Sequence, residues 1–370
     1  MRLAMVVTGG LHPSGREQVV PSLLALFERL ARTHDVHAFS LRHLPQLCTY
    51  HLRGFTVHDL GRPWAPLGLT RWMQDRALRR ALAAAGPFDL IHGFWADPAG
   101  LLAARVGRHF RIPSVVTCDS GEFVNMPKIA YGSQRTARGR AAVRDACRLS
   151  DRVHVCTEFM REQAARHGVD ATVIPIGAVA GPDAASRPSG TAVLRLLQVA
   201  SLSPVKNQEA LVDAVAILAR DIDVQLDLVG EDTLGGRLQT RARDSGVADR
   251  VVFHGFVPND QLGRLFASAD LYVQSSTHEA ASVSVLEAAV AGLPIVGTQV
   301  GYIADWAPGR AEAVETATPH ALAVAIRKMQ ANRERAHAMA TAAGAWARNH
   351  DADWTAAQFN QLYRGLAGRR

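Results

Sequence analysis

Short apolar, β-branched runs alternate with amphipathic stretches through the first half of this 370-residue chain, break off, and then resume. RLAMVVTGG, DVHAFSL, TVHDL, FDLIHGFW, PSVVTCD, RVHVCT and TVIPIG read as strands. VVPSLLALFERLART, TRWMQDRALRRALAAAG, LLAARVGRHF, AAVRDACRLSD and FMREQAARHG read as the helices among them. Strands separated by helices pair in parallel, and the crossover helices then cover both faces of the sheet. AVAGPDAASRPSG (178–190) has no apolar period and reads as a linker. After it come LRLLQVASL, VQLDLVGED, VVFHGFV, DLYVQSS and PIVGT as strands, with helices through KNQEALVDAVAILAR, GRLQTRARDSG, NDQLGRLFASA and SVSVLEAAVAG. From residue 319 to the end the pattern is helical. The chain therefore reads as α/β, with two Rossmann-like doubly wound parallel-sheet domains at 1–177 and 191–351. Two such domains facing each other leave a cleft at the carboxyl ends of their strands, the usual ligand position in open α/β folds.

Composition narrows the function classes. MRLAMVVTGG is too short for a signal peptide, and no window approaches the roughly 18 apolar residues of a membrane span, which points to a cytoplasmic protein. Cys48, Cys118, Cys147 and Cys156 lack CxxC spacing, and the 15 histidines show no HExxH pattern, so no disulfide, metal or other cofactor is expected. The net charge of +7 is uneven: residues 1–180 hold 23 Lys and Arg against 14 Asp and Glu, and the rest 18 against 20. A basic first half suits an anionic membrane leaflet or an acidic substrate, and equally a set of solvated helix faces; no nucleic-acid partner is expected. The same two readings apply to Trp64 and Trp72, interleaved with arginines over 62–80, and to Arg140, Arg144 and Arg148 at helical spacing.

The second half carries the sharpest motif. Residues 278–287 read HEAASVSVLE, with seven uncharged, mostly apolar residues between Glu279 and Glu287. On one continuous helix these carboxylates would stand about 12 Å apart and about 80° around the axis, too far to grip one small group. A strand ending at Ser276, a loop over 277–281 and a helix starting near Ser282, with the Ser282 hydroxyl as N-cap, set them on either side of a helix N-terminus. The N–H groups of Ala281 to Ser284 and the positive end of the helix dipole then face a point between the acids. Carboxylates accept hydroxyl hydrogen bonds, so the set suits a phosphate flanked by polyols, the shape of a nucleoside diphosphate sugar. The plainer alternative is a surface helix glutamate and a loop charge. VASLSPVKN (199–207) ends a strand and delivers Lys206, one of three lysines beside 38 arginines, as a point charge for phosphate or as a solvated side chain. VVTGGLHPSG (6–15) runs a first strand into Gly9 and Gly10, which suits close approach to a ligand or simply a turn.

Together SLSPVKN, LVGED (228–232), FHGFVPNDQLGRLFASADLYVQSS (253–276) and HEAASVSVLEAAVAGLPIVGTQVG (278–301) resemble the retaining, nucleotide-sugar-dependent glycosyltransferases of family 4. These have the GT-B fold, in which the final helix, here about 352–370, crosses back to the first domain. The resemblance takes in nearly the whole chain, including LIHGFW and VVTCDSGEF. It implies that Glu287 holds the ribose hydroxyls, Glu279 the transferred sugar, and Lys206 the diphosphate with backbone N–H groups at Ser282, Val283 and Ser284. Gly230, Glu231 and the loop holding Gly255, Phe256 and Val257 would border the base, and Gly9–Gly10 would lie over the diphosphate from the other domain. It implies a cytoplasmic hexosyltransferase of glycan biosynthesis that uses a UDP- or GDP-sugar and no metal. Its acceptor is a carbohydrate, a lipid-linked or a small molecule, with peripheral membrane contact through the basic first domain in the lipid-linked case.

Two positions depart from the family pattern. Ser201 stands where the family usually has arginine, and Asp119 where it often has the histidine that reaches the donor sugar. Arg16, just beyond the glycine pair, is the candidate to supply the missing charge. Two alternatives follow: an epimerase of the same fold that needs no acceptor, and a catalytically degenerate nucleotide-sugar-binding protein.

Overall fold

The computed structural model describes residues 1–62, 69–178 and 193–368, so Trp64 and linker residues 179–190 lie outside the described residues. The chain divides into two compact units, Met1–Ile176 with Ala352–Arg370, and Gly177–Asp351.

In the first unit, strands β1 (Arg2–Val7), β2 (Asp35–Ser40), β3 (Cys48–Leu52), β4 (Phe55–Asp59), β5 (Leu90–Phe94), β6 (Ser114–Thr117), β7 (Arg152–Val155) and β8 (Thr172–Val173) form one sheet. Its order is β3-β4-β2-β1-β5-β6-β7-β8. Helices α1 (Pro21–Ala31), α2 (Thr70–Ala85), α3 (Leu101–Phe110), α4 (Ala137–Leu149) and α5 (Glu158–Arg166) connect the strands. All pairings are parallel except β3 with β4. The strand pattern did not foresee β3, because an edge strand that alternates half-buried with exposed residues lacks the continuous apolar run of its parallel neighbours. Arg53 (φ 44°) and Gly54 (φ 89°) make the two-residue turn into β4, the positive-φ pair that matches hairpin twist.

In the second unit β9 (Leu194–Val199), β10 (Val224–Val229), β11 (Val251–Gly255), β12 (Leu271–Gln274), β13 (Ile295–Thr298) and β14 (Glu312–Val314) form a parallel sheet ordered β11-β10-β9-β12-β13-β14. Its helices are α6 (Gln208–Leu218), α7 (Arg237–Asp244), α8 (Gly263–Ser268), α9 (Val283–Val290), α10 (Tyr302–Trp306), α11 (Pro319–Ala331) and α12 (Arg333–Asn349). The short elements β14 and α10 carry too few residues for a sequence period to reveal them. Strand β12 stops at Gln274 rather than at Ser276, because Ser275 and Thr277 bond to the neighbouring Val205–Lys206 loop instead of continuing the ladder. Both sheets have the doubly wound order, with the reversal of direction between β1 and β5 in one and between β9 and β12 in the other. No described helix is long and apolar enough to cross a membrane.

The last helix, α13 (Ala352–Ala367), packs on α1 and sends Phe359 and Tyr363 into the first unit's core beside Phe27 and Phe94. It also ends a buried polar chain. The carbonyl of Ile174 can only accept, so His154 Nε2–H donates to it (2.8 Å), leaving His154 Nδ1 to accept from the Thr117 hydroxyl (2.8 Å). Thr117 Oγ1 then accepts from His92 Nε2–H (2.7 Å), and His92 Nδ1 accepts from the Tyr363 hydroxyl (2.6 Å). Both imidazoles are completely buried, and burial holds His154 down to about 4 and His92 well below its usual value. The four side chains are thus one directed relay of neutral groups.

Two tests follow. Tyr363→Phe leaves His92 Nδ1 buried and unbonded, and should cost about 1–3 kcal/mol in urea unfolding. His154, depressed to about 4 when folded and near 6.5 when unfolded, makes the folded state bind fewer protons between those values. Its contribution is fully present above pH about 6.5 and lost as pH falls toward 4. The stability difference between wild type and His154→Gln should therefore narrow by about 1.4 kcal/mol per pH unit across that window, measured by denaturant unfolding at each pH.

Candidate active site

The reversal between β9 and β12 opens a crevice at their carboxyl ends, and both connections there carry charged side chains. After β9, a tight turn over Pro204–Lys206 and Asn207 in the left-handed region (φ 51°) precede α6. After β12 comes the loop 275–282. The two loops are laced together: Thr277 N–H donates to Val205 O (2.8 Å), and the Ser275 hydroxyl donates to Lys206 O (2.8 Å). This lacing sets Lys206 Nζ 2.6 Å from Glu279 Oε1, and the Ser276 hydroxyl donates to the same oxygen at 2.6 Å. The side chains of Lys206 and Glu279 are 23% and 10% exposed, so the pair is largely withdrawn from water. A buried ion pair contributes little net stability, because desolvation offsets the attraction; its position at the crevice therefore speaks for chemistry.

Helix α9 begins directly after this loop. Ser282 sits at the N-cap position but does not serve as its side-chain cap, which corrects the sequence expectation. Its backbone is at φ 77°, ψ 90°, outside the extended region a capping serine adopts, and its hydroxyl lies 3.2 Å from Ser284 Oγ, which also accepts from Tyr272. A non-glycine residue at positive φ is strained and needs its surroundings to hold it there. The first-turn amides of Val283 and Ser284 are thus left without a side-chain cap. Glu287 lies one turn further along, half-buried, with Asn259 Nδ2 donating to its Oε1 at 2.6 Å. Burial raises its carboxyl to about 6, and the Asn259 bond opposes that rise.

At the far side of the crevice the ends of β9, β10 and β11 come together. Gly230 (φ 147°) donates to Gly255 O at 2.8 Å, and a Cβ on Gly230 would meet Ala200 O at 2.0 Å and Ser201 N at 2.8 Å. Gly230 is thus required by backbone contact within the sheet. Ser201 is exposed, and its carbonyl accepts from Gln208 (3.1 Å). Glu231 and Phe256 face solvent, Phe256 at 60% exposure, and Val257 is half-buried.

The remaining candidates lie on the first unit. Gly10 (φ 83°) makes a turn whose carbonyl accepts from Val20 N–H (2.9 Å); Gly9 sits against His43; Arg16 is exposed on the loop that follows. Asp119 follows β6, and its Oδ1 is buried without a hydrogen-bond partner. Burial first, and then the nearby Glu122, raise Asp119 to about 7. Glu122, also raised by burial, accepts from Ser120 N–H (2.8 Å) and Ala96 N–H (3.3 Å), and lines a cavity of about 320 Å³ with Thr8, Trp95, Asp97 and Ser120. Sequence reasoning missed Asn259, Ser276 and Glu122. The polar run QSS before HE hinted at Ser276, whereas folding alone brings Asn259 to Glu287 and Glu122 to the Asp119 loop. Among the described residues no cluster of three or more His, Cys, Asp or Glu is arranged to hold a metal.

Residues 19–177 match the glycosyl transferase 4-like domain, and residues 186–346 match the glycosyl transferases group 1. Each half of the chain thus matches a glycosyl transferase domain. The 2-deoxystreptamine N-acetyl-D-glucosaminyltransferase of Streptomyces fradiae is 37% identical to this chain over 78 residues, 21% of this chain and 18% of that relative. The matched stretch thus spans about a fifth of that relative's length. Sucrose-phosphate synthase from Thermosynechococcus elongatus superposes with a TM-score of 0.84 over the whole of both chains at 20% identity. Anabaena HepE in complex with UDP-glucose gives 0.75 at 19% identity, covering 99% of this chain and 100% of that one. At that identity the likeness is one of fold, and the fold is GT-B.

Gly230→Ala should lower stability by more than about 2 kcal/mol in denaturant unfolding, because its new Cβ meets backbone that has nowhere to move. Ser201→Ala, at an exposed position whose carbonyl alone is engaged, should change it by less than about 0.5 kcal/mol.

Proposed function

We propose that this glycosyltransferase moves a hexose from a nucleoside diphosphate sugar to an acceptor hydroxyl, with retention of anomeric configuration and without a metal ion. The observation that carries the proposal is the Lys206–Glu279 pair at the β9/β12 crevice, beside the uncapped start of α9. An ammonium has three donors, so Lys206 keeps Glu279 and meets the diphosphate at once. The diphosphate rests on the amides of Val283 and Ser284. Glu279 accepts hydroxyls of the transferred sugar, Glu287 those of the ribose, and exposed Phe256 with Val257 and Glu231 borders the base. Uracil is the favoured base, supported by the likeness of fold to HepE in its UDP-glucose complex.

The costly step is growth of negative charge on the departing diphosphate as the bond from the sugar's anomeric carbon to the phosphate oxygen breaks. Lys206 and the helix amides stabilise that charge, a role in which one donor is worth about 10²–10³ in rate. The acceptor oxygen bonds the same face of the anomeric carbon, and its proton passes to the departing phosphate oxygen. No separate base is required. Arg16 supplies the second cation that Ser201 does not, and Asp119, a buried carboxyl near neutrality, contacts the transferred sugar. The basic first unit receives the acceptor.

The deciding experiment is a thermal-shift screen of UDP, GDP, ADP and their sugars, since a ligand that binds only the folded state raises the melting temperature. One nucleotide series should stabilise the chain, Lys206→Ala should abolish that shift, and EDTA should leave turnover unchanged. Arg16→Ala with unaltered donor affinity and turnover would remove Arg16 from the site. Glu287 accepts hydroxyls as a carboxylate, so donor affinity should fall as pH drops through about 6, and Glu287→Gln should remove that inflection. Asn259→Ala, which deletes a bond to the charged form, should move the inflection upward. Tight donor binding without turnover on any acceptor would favour a binding protein instead, the reading that Ser201 and Asp119 support. An epimerised sugar nucleotide formed without acceptor would overturn transfer.

A further inference from the structure

We propose that the first unit carries a second anion site, a pocket on α4 for a small polyphosphorylated molecule, independent of the sugar-nucleotide residues. Arg140, Arg144 and Arg148 recur every four residues on α4, so they advance about 6 Å and turn only about 40° at each step. With Arg152 at the start of β7 and His167 just after α5, they border a cavity of about 900 Å³ floored by buried Val143 and Val153. Arg144 Nη2 is 2.9 Å from Asp145 Oδ1. Arg140 Nη1 donates to the Gln134 carbonyl (2.9 Å) and Arg152 Nη1 to the Asp151 carbonyl (3.3 Å). Arg140, Arg148 and Arg152 therefore have no acidic partner among the described residues. Of the acids lining the cavity, Asp151 Oδ2 accepts from both the backbone N–H (2.8 Å) and the hydroxyl (3.1 Å) of Ser114, and Asp170 is exposed.

Cations grouped around a hollow repel one another, and the concave surface concentrates their field, so the arrangement is eased by an anion inside it. Guanidinium forks match phosphate oxygens two at a time, and arginines whose helix positions step by about 6 Å suit several phosphate groups better than one. Shape and composition favour a soluble molecule over a membrane leaflet. The cations ring a cavity instead of forming a flat face, and none of the exposed large apolar side chains among the described residues lies on α4 to anchor in lipid. In this proposal Arg140, Arg144 and Arg148 form one wall of a pocket, where the sequence alone left a leaflet-facing or a solvated stripe.

The test uses the full chain carrying Lys206→Ala, which weakens phosphate binding at the sugar-nucleotide site, with sodium tripolyphosphate titrated by calorimetry at low salt. Tripolyphosphate should still bind, and adding Arg144→Gln with Arg148→Gln should weaken it at least tenfold. These arginines are exposed, so the melting temperature should stay unchanged; Arg140→Gln serves as the second variant should the double substitution unfold. No binding, or binding that ignores these substitutions, overturns the proposal. So does co-sedimentation with phosphatidylglycerol vesicles that depends on the same arginines while tripolyphosphate does not bind, which would make the face a membrane contact.

Discussion

The second unit is organised around the point where its sheet reverses direction. Two neighbouring parallel strands, β9 and β12, send their following chain segments to opposite faces, and the backbone between them is left open at the carboxyl end. Into that opening the chain places an ammonium and a carboxylate in contact, Lys206 and Glu279, each from a different strand end and each held by the other's loop. Two charges this far from water would be a liability in an ordinary core. They persist because Ser276 bonds the carboxylate, and because the Val205–Thr277 backbone bond leaves neither loop free to withdraw.

The start of α9 depends on the same loop. Ser282 is held at positive φ, a strained arrangement for a residue with a side chain, and its hydroxyl turns to Ser284 rather than back to the helix amides. A helix that does not cap itself keeps its partial positive charge available. The two carboxylates flanking it differ in environment: Glu279 is tied to a cation, whereas Glu287 is bonded by the neutral Asn259 and is pushed up to about 6 by burial. One acid is thus committed to a charge partner and the other is sensitive to pH close to neutrality.

The first unit spends its buried polar groups differently. The relay from Tyr363 through His92, Thr117 and His154 to Ile174 joins α13 to three strands and the residue after β8, so a helix late in sequence is specified by hydrogen bonds as well as by apolar contact. The Ile174 carbonyl fixes which atoms donate and which accept along the chain, which disfavours alternative registers of α13 that apolar packing alone would tolerate. In the loop after β6 of the same sheet, Asp119 and Glu122 lie near each other, and burial raises both carboxyls.

The strand–helix alternation was legible in the sequence because buried parallel strands must be continuously apolar and their crossover helices amphipathic. The short edge elements were not, since β3 alternates half-buried with exposed residues and β14 has only three residues. Lys206 and Glu279 were legible as charged residues just beyond strand ends, and Glu287 by its spacing from Glu279 across an uncharged run. Their partners Asn259 and Ser276 carried no comparable signal, because an asparagine or serine in a loop is what any turn would use. What the sequence by itself determined was the order of strands and helices and which ends carry charge, both local consequences of apolar period and turn chemistry. Only the tertiary structure decided which distant charges meet, that Ser282 fails to cap its helix, and that three arginines on one helix border a hollow. Those outcomes depend on how separate segments pack, and the free energy of packing is not a property of any one segment.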